Sequence, residues 1–374
     1  MAGVQEICDR TASATGRSLG ALAADRFGRS GRIVIFVLLV ALLVANGLNI
    51  AADLVAVGAG MNLFHAGPIA LLAALAGAAV TVLLATGSFD TIARVFKVLC
   101  VGLLAYLVEL FIVHADWHQV ALHTFVPHLK VSSAYIALLV AMLGTTISPY
   151  LFFWESIHRV EEMRDEPEGG AKPVPLEQMT PTKAMRKLST RRFDVFTGMA
   201  FSNAVMFAII VGTASTLYAH GKHNVTSPAQ AASALQPVAG RFASYIFALG
   251  FIGAGMLAVP VLAGAASAGL AGLLGKQAGF SRSPREAPLF YALVAFGTVG
   301  GTALSLFGLN PIKLLVFVAV VNGAAAAPFL VVVMLISGDK RIMQKYVNGR
   351  LASIVGWTTV VIMTAAAIGL AASA

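Results

Sequence analysis

The chain has 374 residues, of which 58% are hydrophobic and 11% charged, with a formal net charge of +9 and a mean hydropathy of +0.83. Soluble domains carry about a quarter charged residues, so this composition excludes a conventional soluble enzyme. Two cysteines, Cys8 and Cys100, supply neither a disulfide framework nor a zinc pattern, and redox chemistry finds no support.

The N-terminal stretch MAGVQEICDR is amphipathic and lacks the basic-then-apolar order of a signal peptide. Apolar runs of the roughly 20 residues needed to cross a bilayer follow at 33–59, 68–86, 92–113, 133–160, 194–218, 243–273, 287–307, 311–337 and 351–371. These nine spans predict an all-α polytopic membrane protein. Most of the Lys and Arg residues fall in alternate loops, at 24–32, 87–97, 159–192, 275–286 and 338–350, and the opposite loops hold only Lys130, Lys222, Arg241 and Lys313. Such an excess marks the inner face of a membrane and explains the net charge without a nucleic-acid partner. The expected setting is the cell (inner) membrane, multi-pass, with the lipid bilayer as partner and the C-terminus outside.

Between spans, the outer loop from His114 to Lys130 carries His114, His118, His123 and His128 without a ligand motif, which reads as solvated imidazoles more readily than as a metal cluster. The longest loop, Arg159 to Arg192, mixes acids, bases and prolines and reads as a flexible inner connector. The Gly/Ala/Ser-rich run from Gly250 to Gly275 suits close helix packing, and Pro260 and Pro328 inside spans are each weak signs of a break. Polar groups within spans are more telling: Asp53 at mid-depth, Glu109 near an outer end, Glu155, and Asn322.

The segment GTTISPYLFFWES (Gly144–Ser156) carries the chemistry. Pro149 removes a backbone donor and frees a carbonyl inside a membrane span, and a broken helix at mid-depth exposes groups that can replace an ion's water shell. Thr145 and Thr146 offer freed carbonyls, Ser148 a hydroxyl, and Glu155 a negative charge one to two turns on. All are oxygen donors, which suits hard divalent cations. The candidate metal ligands are Thr145, Ser148, Glu155, Asn322 and Asp53, with the divalent cation as substrate and no cofactor expected.

At these residues the sequence resembles the natural resistance-associated macrophage protein (NRAMP) family of divalent metal transporters. The likeness runs through VQEICDRTASATGRSLGALAADRFGR, VANGLNIAADLVAVG, GTTISPYLFFWES and VVNGAAAAPFLVVVMLISGDKRIMQKYVNGRLASIVGWTT. It implies the inverted-repeat fold of the leucine-transporter type, no enzymatic activity, and transport of cations of the Mn2+/Mg2+/Fe2+ class by alternating access, with protons as possible co-substrate. The expected division is a partial second family helix and loop at 1–32, the rest of the first repeat at 33–130, the second repeat at 131–337 with its linker at 159–192, and an extra helix at 338–374.

Departures from the family pattern shape the expectation. Ser148-Pro149-Tyr150 stands where typical members have Met-Pro-His, Glu155 stands where the second histidine of that helix falls, and Ala56 replaces a glutamate that some bacterial members use. These changes resemble the family's magnesium-transporting branch. No Asp in the chain is followed by Pro, so the first family helix and its principal carboxylate are expected to be missing and the fold N-terminally incomplete. The alternatives are a degenerate, non-transporting membrane homologue, or an amino-acid or amine symporter of the same fold; Glu155 beside the break argues against an anionic substrate group.

Overall fold

A computed structural model describes residues 1–86, 98, 101, 104–113, 115–126, 132–170, 172–221 and 224–373. Its principal helices are α1 (Ala2–Thr15), α2 (Leu19–Arg26), α3 (Arg29–Leu63), α4 (Ile69–Thr86), α5 (Leu104–Ile112), α6 (Trp117–Phe125), α7 (Ser133–Thr146), α8 (Pro149–Asp165), α9 (Pro181–Thr216), α10 (Ala243–Leu273), α11 (Pro288–Ser305), α12 (Pro311–Ser337) and α13 (Arg350–Ser373). Local chemistry sets several starts. Pro149, Pro181, Pro288 and Pro311 each open a helix, where the missing N–H has no intrahelical acceptor to lose. Ser132 and Asn310 cap α7 and α12 by accepting from the amides of Tyr135 and Lys313.

Seven helical stretches among the described residues are long and apolar enough to cross a membrane, α7 and α8 counting as one. They match the predicted spans, and α4 supplies a shorter apolar helix at 68–86. The predicted span at 92–113 lies largely outside the described residues, which show α5 as its outer part. Asp53 and Asn49 sit near the middle of α3, whose 35 residues extend roughly 50 Å.

Helix α3 runs through the centre, packed by α4, α10, α11 and α12. Small residues permit the closest crossings: a Cβ on Gly255 of α10 would fall 3.0 Å from the Asp53 carbonyl, and one on Gly20 of α2 would fall 2.3 Å from the Gly269 carbonyl. One core joins α1, α2, α8, α10 and α12 around Phe152, Phe153 and Phe329, and a second joins α3, α4, α10 and α11.

The linker differs from its sequence reading. Residues Arg159–Asp165 continue α8 and Pro181–Arg192 open α9, leaving only a short connection at 166–180. That connection is tied down. Glu166 accepts from Lys187 at 2.5 Å and from Arg191 at 2.7 Å, Glu168 pairs with Lys183 and Lys187, and Leu176 is fully buried. Part of the charge read as a solvated mixture is instead matched pairs between the connection and the start of α9.

Candidate functional site

The helix breaks where the proline predicts. Helix α7 ends at Thr146, Ser148 is extended at φ −90° and ψ 132°, and α8 begins at Pro149. The Ser148 hydroxyl is buried and donates to the Gly144 carbonyl at 2.5 Å, occupying one of the acceptors the break exposes. Thr145 and Thr146 donate to the Met142 carbonyl at 2.8 and 2.9 Å. The hydroxyls therefore fold back onto the end of α7, consistent with the need of last-turn carbonyls for partners.

A close crossing sets what faces the break. A Cβ on Gly144 would lie 2.1 Å from the Ala319 carbonyl, and one on Gly323 would lie 2.4 Å from the Val140 carbonyl, so α7 and α12 touch backbone to backbone. Asn322, beside Gly323, is thereby held next to the end of α7. Its side-chain amide donates to Asn49 Oδ1 at 3.0 Å, and the Asn49 amide donates to Asn322 Oδ1 at 3.3 Å and to the Ala45 backbone carbonyl at 2.9 Å. Asp53 lies one turn beyond Asn49 on the same face of α3 and is half-buried. Among the described residues no cation pairs with it.

The five expected ligands thus divide into two groups. Ser148 is part of the break, Asn322 is brought to it by the Gly144–Gly323 crossing, and Asp53 follows one turn from Asn49, the partner of Asn322. Thr145 and Glu155 line a cavity of 450 Å³ between α7, α8 and α9, which Gln5 of α1 and Ser202 and Asn203 of α9 also line. Glu155 sits there among Asp9, His158, Arg159 and Glu162, and Arg159 ion-pairs with both Asp9 and Glu162. Asn49 was missed from the sequence, although its i,i+4 spacing to Asp53 places both on one helix face. Among the described residues no three His, Cys, Asp or Glu side chains gather as a metal cluster. His118 and His123 are exposed on α6; His114 and His128 lie outside the described residues. Glu109 is buried, and neither carboxyl oxygen has a partner among the described residues.

The sequence profile described as natural resistance-associated macrophage protein-like matches residues 1–373. The chain belongs to this family. Among NRAMP relatives, the divalent metal cation transporter MntH of Clostridium acetobutylicum is 25% identical over 263 residues, covering 70% of this chain and 54% of that protein. MntH of Caldanaerobacter subterraneus subsp. tengcongensis is 24% identical over 262 residues, covering 70% of this chain and 56% of that protein. The chain spans about half the length of these relatives. The Eremococcus coleocola manganese transporter, solved with an aromatic bis-isothiourea substituted compound, superimposes with a TM-score of 0.71 at 15% identity, covering all of this chain and 78% of that one. A mutant of the same transporter gives 0.69 at 15% identity over 98% of this chain and 76% of that one. The NRAMP fold is shared, and the chain is a multi-pass membrane protein.

Proposed function

We propose that this NRAMP chain moves divalent metal cations across the membrane by alternating access, with the α7–α8 break as the substrate's way-point. The observation that supports this most is the break itself: a single membrane span interrupted at Ile147 and Ser148, with Asn322 held beside the end of α7 and bonded to Asn49, one helical turn from Asp53. The MntH relatives support the substrate class. A half-buried carboxylate with no cation beside it among the described residues, near carbonyls and amides, is an electrostatic environment for a hard cation.

The donors are all oxygen, so the site takes Mn2+ or Mg2+ with weak discrimination and gains little from the softness of Fe2+ or Cd2+. Thr145 and Glu155 form a second station in the neighbouring cavity, where the carboxylate can receive a cation or hand on a proton. The two inverted repeats are 33–130 and 131–337, and their relative rocking opens the break to either side. The test is uptake into vesicles holding the purified chain and a metal-sensitive dye. Saturable Mn2+ entry, inhibited by external Mg2+, supports the reading; entry no faster than in empty vesicles removes it and favours a non-transporting homologue.

A further inference from the structure

Another cavity lies on the Lys/Arg-rich side, where α1, α9 and α13 meet. It has a volume of 620 Å³, and its cationic lining is Arg10, Arg192, Lys345 and Arg350 against one carboxylate, Glu6. That carboxylate is already committed, accepting from Arg10 at 3.2 Å and from Arg192 at 3.0 Å. Arg10 is buried and further engaged with the Tyr346 carbonyl and the Asn348 side chain. Lys345 and Arg350 are exposed, and among the described residues neither has an ion pair; Lys345 lies over the Tyr346 ring at 5.3 Å. The cavity therefore carries excess positive charge at its mouth.

Its other walls are apolar. Leu351 is 75% exposed, and Phe196 and Val355 are exposed beside it. The position along the helices explains the pairing. On α9 the basic residues end at Arg192 and a mostly apolar run, interrupted by Asp194, begins at Phe193; on α13 the change falls between Arg350 and Leu351. Both boundaries meet at this cavity, so its cations sit at headgroup depth and its apolar wall at the depth of acyl chains. Helix α1 forms the back, packed so closely that a Cβ on Gly3 would lie 2.9 Å from Val355.

We infer that this groove is a binding site for an anionic phospholipid, with the phosphate on Arg192, Lys345 and Arg350 and an acyl chain along Phe196, Leu351 and Val355. Charge complementarity selects the headgroup, because a zwitterionic lipid presents its own cation to the same side chains. Basic pockets between helices at the inner surface recognise anionic headgroups in this way. A bound lipid would join α13 to α1 and α9 at the membrane surface.

The experiment places the purified chain in phosphatidylcholine vesicles doped with spin-labelled phosphatidylglycerol or spin-labelled phosphatidylcholine and measures the protein-bound fraction of each. The expected result is preferential retention of phosphatidylglycerol, falling about fivefold for each cation removed, so that the doubly substituted Lys345→Gln, Arg350→Gln chain approaches the phosphatidylcholine value. Both side chains are exposed, and the helical spectrum of each variant checks its fold. Leu351→Gln keeps the charges and weakens retention through the acyl wall. Equal retention of the two lipids by the unaltered chain overturns the inference, as does an undiminished preference in the double variant. Displacement of the labelled lipid by millimolar inorganic phosphate would assign the cations to a free anion instead, and a dimer lost in the double variant without any lipid preference would assign the groove to a second copy.

Discussion

Asn49 and Asn322 exchange hydrogen bonds across α3 and α12, each amide donating to the other's oxygen at 3.3 and 3.0 Å. The pair fixes the orientation of both amides one turn from Asp53, beside the crossing of α12 with the end of α7. Both side chains are buried, so each satisfies a polar group that would otherwise lack a partner in lipid. The exchange also decides which donors remain for a cation: the second lone pair of each oxygen.

Removing one partner leaves the other orphaned. Asn322→Ala is expected to destabilise the protein by about 1–3 kcal/mol, and Asn49→Ala by a similar amount. Because the two act on one bond, the double variant should fall short of the sum by at least about 0.5 kcal/mol. Denaturation in detergent of the four proteins checks this; additive losses would mean that the amides act independently.

The crossing of α7 and α12 makes a prediction that is purely steric. Gly323→Ala adds a methyl where the Val140 carbonyl stands 2.4 Å away, and Gly144→Ala adds one 2.1 Å from the Ala319 carbonyl. No backbone atom can swing aside as a side chain would, so each substitution is expected to cost on the order of 1–3 kcal/mol and to displace Asn322 from the break. Thermal midpoints measured for both variants should fall together, whereas Gly300→Ala, with open space around it inside α11, should not lower the midpoint.

Ser148 tests the donor chemistry. Ser148→Met replaces a hydroxyl with a thioether at the break, and softer cations gain from sulfur. Cadmium affinity should rise relative to magnesium in a binding titration. Unchanged selectivity would show that the Ser148 side chain, committed to the Gly144 carbonyl, never turns toward the cation.

How much of this was legible in the sequence depends on the residue. The spans follow from hydropathy, and the break at Ser148 follows from Pro149, because a proline acts on its own turn whatever surrounds it. The ligand set was only partly legible. Thr145 and Glu155 are three to seven residues from Ser148, and sequence proximity grouped them at one ion; the structure sends them to a cavity shared with α1 and α9. Which side of a broken helix a residue faces depends on the turn at the break, and no local periodicity carries across it. The linker's order was hidden for a different reason: a mixture of charges looks the same whether solvated or paired, and only the fold brings Lys187 and Arg191 of α9 to Glu166, just past the end of α8.

That matching has a pH dependence. Burial works to raise the Glu166 carboxyl, but hydrogen bonds from Lys187 and Arg191 outweigh it and hold the group below its ordinary value. A depressed carboxylate contributes stability above the ordinary Glu value of about 4.3, and the contribution is lost as pH falls through the lower folded value. The group is partly exposed to water that screens it, so the contribution is at most about 1 kcal/mol. Hydrogen exchange over residues 166–180 should therefore quicken below about pH 4, once corrected for the intrinsic rate. Glu166→Gln should quicken it at pH 7 as well; equal protection in the variant at pH 7 would show that the linker is held by Leu176 and its neighbours alone.

The central claim is that charge beside the broken helix moves a divalent cation, and the most direct measurement is Mn2+ uptake by vesicles containing the unaltered chain, Asp53→Asn or Glu155→Gln. Both substitutions preserve size and remove a negative charge. The expected result is saturable uptake by the unaltered chain and at least a tenfold loss in each variant, with thermal midpoints unchanged. Uptake at the unaltered rate in both variants would contradict the account, since neither carboxylate would then serve the cation's path.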